Sequence, residues 1–309
     1  MAERRFSQDA ERLVVAHRGA SAAETENTLP AFELAIAAGA DVVEFDVRMS
    51  ADGVAIVMHD PRVDRTTDGQ GLVSELGIED LRRLRIRTRD GGTTVVPTLE
   101  QTLASLSGRV GVDVEIKNLP GEPDFDAERE RAVEATVRAL DAVAFSGPVL
   151  LSSFNPLSLA RARELVGDDV ATGLLTTADV QAPVAFGFAR SEGHPWVLPF
   201  VDAVTTAGPA FVGEVHGAAM RVGTWITDDP AVAIALFRTG VDAVATNDPA
   251  VARHASQPAA GSPSRRPRKT SARKPASGRA GISQTRWITG GVSPSGGRCR
   301  RRWRRAGGA

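Results

Sequence analysis

One cysteine, Cys299, is the only thiol in 309 residues. That excludes a disulfide framework or a cysteine-built metal centre within one chain. No apolar run is long enough to cross a bilayer. The stretch Met1 to Arg12 is charged, with no apolar segment before Val14, so no signal peptide is expected and a soluble, cytoplasmic protein is. From Ser256 onward Asp and Glu are missing altogether, while Lys and Arg number 14. Residues 1–255 therefore hold 23 basic and 38 acidic side chains, and the chain's formal charge of −1 conceals an acidic body and a basic tail. An acidic body argues against nucleic acid as its substrate, although a bound metal can reverse the field locally. Also missing are a glycine-rich nucleotide fingerprint after the first strand, a Walker loop, a serine nucleophile elbow and a Cys-His pair.

What is present is regular alternation. Leu13-Val14-Val15-Ala16 reads as a buried strand, Asn27 or Thr28 as a helix cap, and Gly39 as that helix's stop. A second strand covers Asp41 to Met49. Residues 50–96 form an excursion, with a short helix near Glu79 to Leu84, and Thr98 starts the next helix. Further strands are expected near residues 113, 150, 173, 204, 224 and 244. Helices separate them: Asp126–Leu140, Pro156–Val166, Val180–Ala189, Pro209–Ala219 and Pro230–Thr239. Eight such β-α units predict an α/β fold, a (β/α)8 TIM barrel with an insertion at about 50–96. The doubly wound sheet is the alternative. The expected organisation is an N-terminal extension over 1–12, the barrel over 13–255, and a disordered Arg/Pro/Ser-rich tail over 256–309.

The chemistry centres on Asp41 to Asp60. Glu44 and Asp46 are two apart and leave one face of a strand. Asp52-Gly53 suits a tight hairpin. A two-residue loop would pair Ala51 with Val54 and set Asp46 opposite His59, and a one-residue slip would turn His59 away. Strand C-termini form the active face of a barrel. Collected there are His17 and Arg18, then Glu44 and Asp46, then Glu115 and Lys117, then Ser152, Ser153 and Asn155, and Trp225. Three carboxylates together repel unless one is protonated or a cation binds. Oxygen ligands favour Mg²⁺ or Ca²⁺ over Zn²⁺. Arg18 and Lys117 beside a metal suit an anionic tetrahedral group such as phosphate. His17 and His59 supply a base and an acid near neutrality. Lys117 could instead simply pair with Glu115, and Trp225 is either core or substrate platform. His194, His216 and His254 have no acidic cluster near them and read as structural or surface residues.

His17-Arg18-Gly19, Glu26-Asn27-Thr28, Glu44-x-Asp46, Asp52-Gly53, His59-Asp60, Glu115-Ile116-Lys117 and Trp225 together resemble the glycerophosphodiester phosphodiesterase family, from about Val14 to Pro249. The resemblance implies a TIM barrel with a segment inserted after the second strand. It implies divalent-metal-dependent hydrolysis of glycerophosphodiesters to glycerol 3-phosphate and an alcohol. It also implies that His17 and His59 are the acid/base pair, that Glu44, Asp46 and Glu115 are metal ligands, that Arg18 and Lys117 contact phosphate, and that Trp225 packs on glycerol. A cyclic phosphate formed through the glycerol 2-hydroxyl is open. Three places depart from the family pattern. Thr25 replaces a proline, Ile226-Thr227-Asp228 stands where Thr-Val-Asn is common, and Thr246-Asn247-Asp248-Pro249 replaces Thr-Asp-x-Pro; these are expected to affect the substrate pocket. A lysophospholipase D with the same site is the alternative activity, and a non-catalytic phosphate or headgroup binder the alternative class. The tail reads as a solvated extension, or as an electrostatic contact to anionic lipid or nucleic acid through Arg298 to Arg305.

Overall fold

The computed structural model of the chain describes Phe6 and residues 12–256, so residues 257–309 of the tail and most of the N-terminal extension lie outside the described residues. β1 (Leu13–Ala16), α1 (Leu29–Ala37) and β2 (Val42–Met49) make the opening β-α-β unit. The excursion follows: β3 (Ala55–Val57), a 3-10 turn at Val73–Glu75, α2 (Ile78–Arg83), β4 (Ile86–Arg87) and β5 (Thr93–Thr94). The chain returns through α3 (Leu99–Leu106), β6 (Gly111–Ile116), α4 (Arg131–Ala142), β7 (Val149–Ser153), α5 (Pro156–Val166), β8 (Ala171–Thr176) and α6 (Ala182–Ser191). It closes with β9 (Trp196–Pro199), α7 (Val201–Gly217), β10 (Arg221–Thr224), α8 (Pro230–Thr239), β11 (Ala243–Thr246) and α9 (Pro249–Ser256). Parallel pairing runs β1–β2–β6–β7–β8–β9–β10–β11 and back to β1, a closed eight-stranded TIM barrel. No helix among the described residues is long and apolar enough to cross a membrane.

Both faces of the barrel strands are covered, which is why they read as near-continuous apolar runs. On β2, Val43, Phe45 and Val47 pack outward with Phe32, Leu99, Leu103 and Leu140. Fully burying each such side chain contributes about 1.5–3 kcal/mol. The inward parity of the same strand carries Val42, Glu44, Asp46 and Arg48, so one face supplies packing and the other chemistry. The helices are capped by their own sequence. Thr28 Oγ1 accepts from Ala31 N at 3.3 Å, Thr98 and Gln101 form a capping box, and Asn155 and Asp229 cap α5 and α8. Each cap is worth about 1 kcal/mol. The excursion has its own small core, built from Ile56, Met58, Val63, Val73, Leu81, Ile86 and Val96.

Two sequence expectations give way to the observed fold. The sixth strand is β9, Trp196–Pro199, and not Ala203–Thr205, which lies in the first turns of α7. Pro199 ends the strand, where a missing donor costs least. Gly208 (φ +70°) breaks α7 just before Pro209, so the helix expected from Pro209 is its second half. The hairpin register also differs by one. Val47 pairs with Val57 and Met49 with Ala55, leaving a three-residue loop of Ala51, Asp52 and Gly53 (φ +82°). Ser50 closes that loop, its Oγ accepting from Val54 N at 2.8 Å and donating to Asp52 at 2.6 Å. Asp46 therefore lies opposite Met58, whose N–H donates to the Asp46 carbonyl at 3.0 Å. His59 falls beyond the end of β3, where strand alternation no longer sets its direction.

Candidate active site

The turn after β1 is built for close approach. His17 N donates to the Thr246 carbonyl at 2.9 Å, tying the turn to β11. Arg18 (φ +56°) and Gly19 (φ +82°) then reverse the chain. A β-carbon at Gly19 would stand 2.8 Å from the Ala31 carbonyl group, so only glycine fits. The left-handed Arg18 backbone costs about 1–2 kcal/mol. It is held because Arg18 N donates to Glu44 Oε2 at 2.7 Å and its carbonyl accepts from Asn27 N at 3.1 Å. β2 and β6 pair in a register that sets Glu44 beside Asp113 and Asp46 beside Glu115. Lys117 continues the β6 parity one step past the strand.

Glu44, Asp46 and Glu115 are buried, and each offers an oxygen within 4.8 Å of the other two. Among the described residues, Glu44 Oε1 and Asp46 Oδ1 have no hydrogen-bond partner. Oxygens around one Mg²⁺ or Ca²⁺ lie roughly 4–5 Å apart at most, so this donor set fits a hard dication. Burial, and then the charges of Asp46 and Glu115, raise the Glu44 pKa well above the ordinary carboxylate range. Burial pushes Asp46 the same way, but Lys117, Arg18 and His59 outweigh it and hold Asp46 ionised. Lys117 Nζ lies 2.7 Å from Glu115 and 3.6 Å from Asp46; Arg18 Nε is 3.3 Å from Asp46. Asp46 is further held by Asn27, whose amide donates at 2.7 Å.

The two imidazoles approach from different elements. His17 Nδ1 lies 2.8 Å from Asn247 Oδ1. Burial, aided by Arg18, lowers its pKa to about 4, against the opposing pull of Asn247 and Asp46. His59 Nδ1 lies 2.6 Å from Asp60 Oδ1, and Asp60 is gripped by Arg65 at 2.5 Å. Arg65 also binds Glu26, which reaches back to Arg18 at 3.0 Å. Burial lowers His59 as well, with Lys117 and Arg18 acting in the same direction and Asp46 and Asp60 against it.

Both imidazoles line a cavity of about 200 Å³ with Arg18, Glu44, Glu115 and Lys117. Trp225 lines it too. Its ring meets Phe154 and Phe200 edge-on at 5.2 Å, and its Nε1 donates to the Leu198 carbonyl at 3.1 Å. All eight singled-out side chains except Asp46 line this one cavity, and Asp46 sits beneath it between Lys117 and Arg18. Ser152 reaches it also, donating to Asp113 at 2.6 Å. Ser153 and Asn155 instead brace the loop after β6, through the Ile116 and Asn118 carbonyls. His194 is buried against Thr172, and His216 pairs with Asp242.

Three groups went unrecognised in the sequence. Asp113, whose pKa burial raises to about 7, shares its parity with Glu115 and Lys117, so the two-residue spacing already pointed to it. Arg48 extends the parity of Glu44 and Asp46; its guanidinium is wholly buried. Its Nε donates to the His59 carbonyl at 2.7 Å, and its Nη1 lies 2.8 Å from both Glu122 and Asp124. Arg48 thus ties the His59 backbone to the β6–α4 loop. In Arg48→Gln, kcat falls about 10–100-fold with KM nearly unchanged, and stability drops by about 3 kcal/mol because Asp124 loses its partner. Steady-state kinetics and urea melts check both. The third is the pair Asp228 and Asn247. They lie in two stretches read from the sequence as departing from the pattern it resembles, yet they touch each other and back His17, and neither lines the cavity where their effect was expected.

A closed barrel whose strand ends gather acids, cations and imidazoles around one cavity is the catalytic face of a barrel enzyme. The chain belongs to the glycerophosphoryl diester phosphodiesterase family, whose sequence profile matches residues 17–251, and so is a phosphoric diester hydrolase. It is similar to the glycerophosphodiester phosphodiesterase of Caldanaerobacter subterraneus subsp. tengcongensis, 29% identical over 244 residues, covering 77% of this chain and 94% of that one. It is also similar to an Oleispira antarctica phosphodiesterase solved in complex with the product sn-glycerol-3-phosphate. That match has a TM-score of 0.70 at 27% identity, covering 79% of this chain and 96% of the other. The Thermotoga maritima glycerophosphodiester phosphodiesterase shares the fold at TM-score 0.62 and 24% identity, over 77% and 96% of the two chains.

Proposed function

We propose that this chain hydrolyses glycerophosphodiesters to sn-glycerol 3-phosphate and an alcohol, with Glu44, Asp46 and Glu115 holding a Mg²⁺ or Ca²⁺ ion. The observation that carries the reading is the buried acid triad with two oxygens that accept no hydrogen bond, beside Arg18, Lys117 and two imidazoles. A dication there supplies charge stabilisation to an anionic phosphoryl group. Arg18 and Lys117 donate to its non-bridging oxygens, and the Trp225 ring flanks the glycerol. The two histidines divide the proton work. His17, backed by a neutral amide, takes a proton at Nε2 from the attacking hydroxyl; if that is water the monoester forms directly, and if it is the glycerol 2-hydroxyl a cyclic phosphate forms, which a water then opens to sn-glycerol 3-phosphate. His59, backed by the Asp60 carboxylate, gives a proton to the leaving alcohol oxygen as the P–O bond breaks.

A second reading, lysophospholipase D activity, is favoured by one feature. Below the polar rim the cavity walls are apolar, with Leu13, Val15, Leu150, Leu175 and Leu198. Choline release from glycerophosphocholine and from lysophosphatidylcholine, with Mg²⁺, Ca²⁺ or EDTA, separates the two. The expected result is faster release from glycerophosphocholine, abolished by chelation. Faster release from the lysolipid moves the assignment to the second reading, and no release from either with both metals defeats the proposal.

A further inference from the structure

Behind His17 the hydrogen bonds run in one direction only. Asn247 Oδ1 lies 2.8 Å from His17 Nδ1 and accepts from Ser21 Oγ at 2.9 Å. On the far side of the same amide, Asn247 Nδ2 donates to Asp228 Oδ2 at 2.8 Å. The other Asp228 oxygen accepts from the Asn247 backbone N–H at 2.7 Å and from Thr246 Oγ1 at 2.8 Å. Every partner of this carboxylate is a donor. An ionised carboxylate accepts only, whereas an amide has one donating and one accepting end. With its NH₂ end committed to Asp228, the Asn247 side chain must turn its carbonyl to the imidazole. A carbonyl oxygen cannot donate, so the hydrogen between them sits on Nδ1. The other ring nitrogen, Nε2, keeps its lone pair.

We propose that Asp228 is a positioning residue: acting through the Asn247 amide, it fixes His17 in the Nδ1–H tautomer and leaves Nε2 free to take a proton. This rests on the reading of His17 as the base. Neither Asp228 nor Asn247 lines the cavity, and Asp228 is linked to His17 through that amide. The arrangement differs from the one at His59, where the Asp60 carboxylate touches the ring directly. A carboxylate both orients an imidazole and stabilises its charged form; an amide dipole orients it without supplying a full charge. The charged groups facing His17 are Arg18 on its own turn, Asp46 from β2, and His59 from the excursion. With Arg18 adjoining, amide backing keeps the ring neutral and the tautomer fixed together.

Nitrogen NMR on isotopically labelled protein reads the tautomer without substrate, and wild-type His17 is expected as Nδ1–H. In Asp228→Asn the Asn247 backbone N–H still claims the new carbonyl, so an NH₂ faces the Asn247 amide and no longer holds its carbonyl toward His17. The expected result is a mixture of tautomers and a kcat reduced at least about tenfold with KM little changed, as follows when a catalytic imidazole adopts the wrong tautomer. The exchanged double variant, Asp228→Asn with Asn247→Asp, restores a donor–acceptor pair with a carboxylate on Nδ1. Its kcat recovers, and the acidic limb of its kcat/KM profile moves to higher pH. Three results overturn the proposal: wild-type His17 found as Nε2–H, Asp228→Asn with wild-type tautomer and kcat, or a double variant as slow as the single. If Asp228→Asn does not fold, the wild-type spectrum still decides. Inactive wild-type protein that shows the Nδ1–H tautomer counts against the catalytic reading alone.

Discussion

His59→Ala lowers kcat/KM for glycerophosphocholine by about 10²–10⁴, the range a positioned general acid or base supplies. Choline release at saturating metal measures it. The effect is large because the two cations at the rim do not replace His59 as a proton donor: Lys117 and Arg18 are held charged by Asp46 and by Glu115 or Glu26. His17→Ala is expected to cost a similar factor, and the double variant much less than the product, since on the proposed reading the two imidazoles act in one reaction. Leaving groups distinguish them. A nitrophenyl ester, whose leaving oxygen needs no proton, recovers rate in His59→Ala and not in His17→Ala. Equal recovery in both, or none in either, refutes the division of roles. The pH dependence has a definite sign. His17 is held neutral by burial, so its capacity as base is present at neutrality and is lost as pH falls toward about 4.

Glu44→Gln is expected to abolish turnover while stabilising the metal-free protein by about 1–3 kcal/mol. Glu44 is buried beside Asp46, Glu115 and Asp113, and its pKa is raised, by burial first and by those charges second. A carboxyl with a raised folded pKa destabilises as pH climbs through the window between its unfolded and folded values, because the unfolded chain sheds the proton more readily. Glutamine removes that cost. It keeps an acceptor for Arg18 N and turns a donor toward Asp46. The gain is therefore small below the ordinary Glu pKa of 4.5 and grows as pH rises above it. Thermal or urea melts in EDTA at two pH values measure it. In wild-type protein, Mg²⁺ or Ca²⁺ raises the melting temperature; in Glu44→Gln it does not. A variant less stable than wild type in EDTA at high pH would show that the repulsion is relieved some other way.

Much of the fold, and the gathering of the candidate site residues at one rim, was legible in the residues themselves. An apolar strand buried on both faces has no reason to carry Glu44 and Asp46 unless those acids do something, and their two-residue spacing gave them a common direction. The barrel followed from counting strands. What failed were features decided by local geometry. The hairpin gained a loop residue because Ser50 can close it through its side chain, and a two-residue template cannot show that. The sixth strand hid between Pro195 and Pro199, residues that ordinarily punctuate rather than build a strand. The link from Asp228 to Asn247 to His17 joins three separate strand ends and has no periodicity to betray it. Arg48 and Asp113 were within reach, since each extends a parity already recognised.

The excursion divides responsibility for the site. His17 and the acids hang from barrel strands, whereas His59 is delivered by a segment whose packing depends on Ile56, Met58, Val73 and Leu81. The proposed proton donor and the proposed cation seat thus answer to different cores, held in step by Arg48 and by the Arg65 bridge between Asp60 and Glu26. A sub-global opening confined to that segment would idle the enzyme without emptying it, so ligand occupancy and turnover are separable properties of this chain.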